Sequence, residues 1–103
     1  MAKYTVRVEL HGATGEQYEQ LDQSMSRRGF SRIIKATDGS WWRLPHGEYN
    51  LENDSRNPVQ IKDLVVSIAD AIKPGAWVLV TEAGSRAWQT SEIQPEALKR
   101  VNR

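Results

Sequence analysis

The chain has 103 residues, 39% hydrophobic and 26% charged, with a formal net charge of +1 and no cysteine. That length supports one core and leaves little room for a second. The composition excludes disulfides, thiol nucleophiles and thiolate metal sites, and the near-neutral balance leaves nucleic-acid or membrane binding to local patches. Met1 to Tyr4 runs directly into a strand pattern with no signal-like apolar region, and no apolar run approaches the ~20 residues of a membrane helix. A cytoplasmic protein is the expectation.

Tyr4, Val6, Val8 and Leu10 alternate with Thr5, Arg7 and Glu9, the pattern of a half-buried first strand. His11-Gly12-Ala13 forms its exit loop. Thr14 and Gln17 then fit a capping box, in which each side chain satisfies a free backbone N–H. The spacing of Tyr18, Leu21 and Met25 predicts a helix over 14–28. Glu16, Glu19 and Asp22 lie early to midway, Arg27 and Arg28 at the end, as the helix dipole prefers, and Gly29 supplies the stop.

A second strand over about 30–36 and a third over about 40–45 flank Asp38-Gly39. Asp-Gly between strand-like segments predicts a hairpin with a tight primed turn, because that turn needs residues tolerant of positive φ. Pro45 interrupts pairing, Gly47 permits a bulge or kink, and Tyr49 and Leu51 are expected to continue the third strand. Asn57-Pro58 reads as an N-cap followed by proline at the first helical position. Ile61, Leu64, Val65, Ile68 and Ile72 give the clearest amphipathic helix, ended by Lys73, Pro74 and Gly75. The apolar run over 76–81 predicts a well-covered strand with Trp77 in the core. A short edge strand is expected over 86–90, with one or two helical turns from Pro95 to Val101 and a frayed end at Asn102 and Arg103.

Strand-helix-strand therefore occurs twice. The expected fold is α+β, a single ferredoxin-like βαββαβ sandwich over 1–103. It would have a four-stranded antiparallel sheet with two helices on one face and room for a short fifth strand. The core covers about 3–82 and the C-terminal extension 83–103.

Catalytic signals are sparse. His11 and His46 show no two-histidine metal spacing, and no glycine-rich phosphate loop or nucleophile elbow is present. Glu9 beside His11 places a carboxylate near an imidazole, which could move protons or hold a divalent cation; the plainer reading is a surface strand residue. No cofactor is expected, with a divalent metal left open. Binding signals are richer. Arg27, Arg28, Arg32, Lys35 and Arg43 stand against the single acid Asp38 between 27 and 43, with Trp41 and Trp42 in the same stretch. Cations that meet phosphates beside aromatics that stack on bases suit single-stranded RNA. Strand alternation puts Trp41 and Arg43 on one face and Trp42 and Leu44 on the other, so one tryptophan is expected in the core and one available. Alternatively, Trp41 packs on arginine stems across the hairpin with no ligand.

Tyr4-x-Val6, the capped helix, Phe30-Ser31, Ile33-Ile34, Gly39, Arg43-Leu44 and Tyr49 together resemble the GhoS family across about residues 3–82. That family consists of small ferredoxin-like endoribonucleases that act as antitoxins by cutting a toxin's messenger RNA, similar in fold to the small CRISPR-associated nucleases. The tryptophan pair, Arg27-Arg28 and the tail after Thr81 lie outside the resemblance. Glu9 stands where the family and its fold relatives tend to carry an acidic residue, linked to metal in the CRISPR-associated relatives. The resemblance implies an RNA-binding protein and possible endoribonuclease, with Arg43 or Arg32 stabilising phosphate charge and Glu9 or His11 moving protons. The rival reading is a non-catalytic module that binds a protein partner through the free sheet face or an edge strand. A third is a small-ligand domain in which Trp41, Tyr49 and the arginines meet an acidic aromatic ligand.

Overall fold

The structure, a computed structural model, describes residues 2–100. In chain order the elements are β1 (Ala2–Glu9), α1 (Gly15–Arg27), β2 (Ile33–Lys35), β3 (Trp41–Arg43), β4 (Glu48–Asp54), α2 (Pro58–Asp70), β5 (Trp77–Glu82) and β6 (Glu92–Ile93). A 3-10 helix over Pro95–Arg100 follows, and the expected features at Val101 to Arg103 lie outside the described residues.

Both helices begin where the local chemistry dictates. Thr14 accepts the Gln17 N–H while the Gln17 side chain accepts the Thr14 N–H, and Asn57 and Gln60 repeat the exchange before α2, with Pro58 in its first turn. Leu21 and Met25 of α1 and Ile61, Val65 and Ala69 of α2 are buried with Tyr4, Val6 and Val8 of β1 and with Leu10 just beyond it. Tyr49, Leu51 and Phe30 complete this core. The alternation of β1 thus sends its even residues to the helices and its odd residues to the opposite face.

The α+β class is as expected, but the strands divide into two three-stranded antiparallel sheets, ordered β4-β1-β5 and β2-β3-β6, in place of one four-stranded sheet. The divergence starts at Ser31. This residue makes a single antiparallel bridge to Asn50, with N–H to carbonyl distances of 2.8 and 2.7 Å in the two directions. Its hydroxyl then bonds both the N–H and the carbonyl of Ile33 at 3.1 Å. A side chain that occupies its own neighbouring backbone competes with the ladder, and the chain leaves the edge of β4 after one residue pair. The second strand shortens accordingly from about 30–36 to 33–35, and the third from about 40–45 to 41–43. Tyr49 and Leu51 belong to β4, in the other sheet, so the third strand does not continue past Pro45.

The hairpin turn also differs from expectation. Gly39 alone has positive φ, +91°, and its N–H bonds the Ala36 carbonyl at 3.0 Å. That is an ordinary turn closed by one left-handed residue, the common alternative to a primed pair. Asp38 accepts the Ser40 N–H at 2.9 Å and its hydroxyl at 2.5 Å, and these bonds hold the Asp38 carboxyl below its ordinary range.

Beyond β5 the chain forms no strand at 86–90; pairing resumes at β6, where Trp41 faces Ile93 and Trp42 faces Glu92. Segment 85–90, together with Ile34 of the second sheet, Leu44 just after β3, and Thr5 and Glu48 of the first sheet, lines one crevice. The second sheet and this segment therefore partly cover the face of the first sheet that the helices leave open.

Candidate nucleic-acid interface

In the β2–β3 ladder Ile33 faces Arg43, Ile34 faces Trp42 and Lys35 faces Trp41. Directly opposite residues of antiparallel strands share a face, so Lys35, Trp41 and Arg43 lie on one side with Ile33 and Ile93. Ile33 and Ile93 are buried, whereas Lys35 and Arg43 are exposed and Trp41 is half-buried. The Lys35 ammonium sits 5.8 Å from the Trp41 ring centroid, within range of a cation–π attraction. Trp42, on the opposite side, donates its indole N–H to the Ser40 hydroxyl at 2.8 Å and is also half-buried. Neither member of the tryptophan pair is fully in the core.

The other expected cations part company with this group. Arg32 donates from Nη1 to Asp22 at 2.8 Å and from Nη2 to the Leu44 carbonyl at 3.0 Å, while its buried Nε has no hydrogen-bond partner among the described residues. Its hydrogen-bonding capacity goes to joining α1 to the loop after β3. Asp22 also accepts the Tyr49 hydroxyl at 2.5 Å. Burial first, and this bond second, push the Tyr49 hydroxyl far above its ordinary range. Arg27 and Arg28 are exposed at the C-terminal end of α1, where the Arg28 N–H donates to the Met25 carbonyl and the Gly29 N–H to the Ser26 carbonyl.

Glu9 and His11 do meet. His11 Nε2 lies 3.0 Å from the Glu9 carboxylate and Nδ1 lies 3.0 Å from the Gly75 carbonyl. These two contacts engage both ring nitrogens, so neither is aimed at solvent as a base. Trp77 packs edge-on to this imidazole, with centroids 4.5 Å apart at 81°. The pair sits at the β1–β5 end of the first sheet, while Arg43 lies in the second sheet. Among the described residues no group of three or more His, Cys, Asp or Glu side chains is placed to hold a metal ion.

Trp77 is a correction. It was expected in the core and is 69% exposed, with Leu79 at 63%. The apolar run over 76–81 suggested cover on both faces, but β5 is an edge strand. Val78 and Val80 pack against the core and the alternate residues Trp77 and Leu79 face away from it.

The residue that sequence reasoning missed is Arg86. Its Nη1 donates to the Asn50 side-chain carbonyl at 2.7 Å and to the Thr5 hydroxyl at 3.2 Å. It lines two neighbouring cavities, of 510 and 300 Å³, that also share Ala87 and Trp88. The available signal was a cation two residues before a tryptophan, in a stretch read only as an edge strand.

No protein-family model and no curated protein matches the sequence. The surfaces themselves therefore carry the functional argument. Among the described residues no helix is long and apolar enough to cross a membrane.

Proposed function

We propose that this chain is a GhoS-like protein of the cytoplasm that binds single-stranded RNA through Lys35, Trp41 and Arg43. The observation that carries this reading is their shared hairpin face, with Lys35 stacked over Trp41 and Arg43 exposed beside them. An indole offers a sequence-tolerant stacking surface, and the two cations meet phosphates on either side. Arg32 holds α1 to the hairpin that carries the site. The fold is read as a ferredoxin-like derivative in which the fourth strand of the main sheet is reduced to the Ser31–Asn50 bridge. Two helices on one face of β4-β1-β5 support that descent. RNA cleavage by Glu9, His11 and Arg43 acting together is not part of this reading, because the Glu9–His11 pair lies at the end of the first sheet and Arg43 in the second. Binding is the part for which the geometry argues.

The test is affinity for a fluorescent ten-nucleotide single-stranded RNA across a salt series. Two phosphate contacts to a single strand give a log–log salt slope of about −1.4. Lys35→Glu and Arg43→Glu are each expected to weaken binding by about tenfold and to flatten that slope, since a charge-assisted bond to phosphate is worth ~1.5 kcal/mol or more. Both side chains are exposed, so unchanged circular dichroism is expected. Affinity that is insensitive to salt and to both reversals would remove the RNA reading.

One observation favours a second reading. The edge strand β5 presents Trp77 and Leu79 to solvent and carries no proline or lysine along its length, where natural edges are usually blunted. A protein partner could add a strand there. A partner bound in this way would be lost on Leu79→Lys and would tolerate high salt, the opposite of the RNA behaviour.

A further inference from the structure

The crevice around Arg86 is distinct from the hairpin face. The wall that Trp42 and Ile34 contribute belongs to the side of the second sheet opposite Lys35, Trp41 and Arg43. Arg86 reaches it from the segment after β5 and is held by two neutral groups, Asn50 and Thr5. Asn50 is only 6% exposed and is itself fixed, its amide donating to Glu52 at 2.8 Å. Thus one edge of the guanidinium is clamped in a set direction. Among the described residues no carboxylate lies within ion-pair distance of it.

The carboxylates in the cavity walls are already engaged. Glu48 accepts from Arg7 at 3.3 Å, and Asp38 takes both donors of Ser40. The hydrogen bonds that Arg86 makes to described residues all leave from Nη1, so the guanidinium retains donors and an unmatched positive charge in a half-enclosed space. A planar guanidinium with its direction fixed is suited to phosphate. Beside it, Trp42 and Trp88 both line the 300 Å³ cavity, which matches the lower end of small-ligand sites. Indoles at that position offer faces for a base.

From this arrangement we infer that the crevice is a nucleotide subsite, in which Arg86 takes a phosphate and Trp88 stacks on the attached base. This rests on the RNA reading for its biological ligand, a nucleotide of the bound strand, but the subsite is measurable without any oligonucleotide. It also gives the C-terminal segment a purpose: residues 85–90 bring the cation and one aromatic wall, while the sheets supply the rest.

The probe is adenosine 5′-monophosphate alone, titrated into the full chain while tryptophan fluorescence and the nucleotide's phosphorus NMR signal are followed. Saturable quenching and broadening are expected for the wild type. Arg86→Gln is expected to weaken binding by about 10- to 100-fold, the range for losing a charge-assisted bond. Because Arg86 also ties the segment to Asn50 and Thr5, Trp88→Ala provides a second variant that leaves those bonds in place. It should weaken adenosine monophosphate more than inorganic phosphate, since only the base is lost. The site is refuted if the wild type shows no saturable binding at millimolar nucleotide, or if folded Arg86→Gln and Trp88→Ala both bind as the wild type does. Ten-nucleotide RNA binding without nucleotide binding sinks the subsite and spares the hairpin. Nucleotide binding lost in both variants, with no RNA binding, supports the subsite and sinks the hairpin.

Discussion

Gly47→Ala is expected to destabilise the fold by about 3 kcal/mol, lowering the melting temperature by about 12–24 °C for a domain of this size. Two effects add. Gly47 has φ +80°, a conformation that costs an L side chain energy wherever it occurs. In addition, a Cβ at this position would lie 2.5 Å from the Val8 carbonyl oxygen, which belongs to the central strand and has no room to give. The close approach exists because the Val8 N–H donates to the Gly47 carbonyl at 2.7 Å, extending the pairing of β1 with β4 past Arg7 and Glu48. Gly39→Ala is the informative control. It too has positive φ, +91°, but nothing lies within 4 Å of the added carbon, so only the conformational part of the loss applies, about 1 kcal/mol. Thermal unfolding followed by circular dichroism measures both; equal shifts would mean that the approach to Val8 carries no energetic weight.

Asp22→Ala should cost about 2–3 kcal/mol, because one carboxylate serves both the Tyr49 hydroxyl and the Arg32 guanidinium. It leaves the fully buried Tyr49 hydroxyl without an acceptor and the Arg32 guanidinium without its counter-charge. Side-chain exposures of 25% for Arg32 and 29% for Asp22 keep the figure below that for a wholly buried pair. Tyr49→Phe removes only the hydroxyl and preserves the Asp22–Arg32 pair, so its expected cost is about 1 kcal/mol. The raised Tyr49 hydroxyl keeps its proton in the folded state where an unfolded tyrosine would ionise. Its contribution is therefore complete below about pH 10 and declines as the pH rises beyond it. Urea unfolding of the two variants checks the order; a Tyr49→Phe loss equal to that of Asp22→Ala would place all the energy in the hydroxyl and none in Arg32.

The elements set by short-range chemistry were legible. Thr14 with Gln17 and Asn57 with Pro58 mark the helix starts within a residue, and the even positions of β1 name one side of the core. The separation into two sheets was not legible, because it turns on one hydroxyl: Ser31 bonds Ile33 instead of extending the ladder to β4. Trp77 misled for a related reason. An unbroken apolar run reads as covered on both sides, and no local signal in 77–82 says that β5 ends a sheet. Of the proposed RNA-contacting residues, alternation alone placed Trp41 with Arg43, and the turn at Asp38-Gly39 brought Lys35 opposite Trp41. Arg32 was indistinguishable in sequence from its neighbours, yet a partner ten positions earlier claims it. Arg86 stayed hidden because its partners, Thr5 and Asn50, are 81 and 36 residues away.

The central claim is that RNA meets the Lys35–Trp41–Arg43 side of the hairpin. Its most direct test is the set of indole N–H signals in a nitrogen-15 NMR spectrum during titration with the ten-nucleotide RNA. The four tryptophans give four reporters: Trp41 on the hairpin face, Trp77 on β5, and Trp42 and Trp88 on the cavity they share. Trp41 should shift progressively to saturation while Trp77, out on β5, keeps its position. A moving Trp77 signal with Trp41 unchanged would contradict the claim and turn attention to the edge strand.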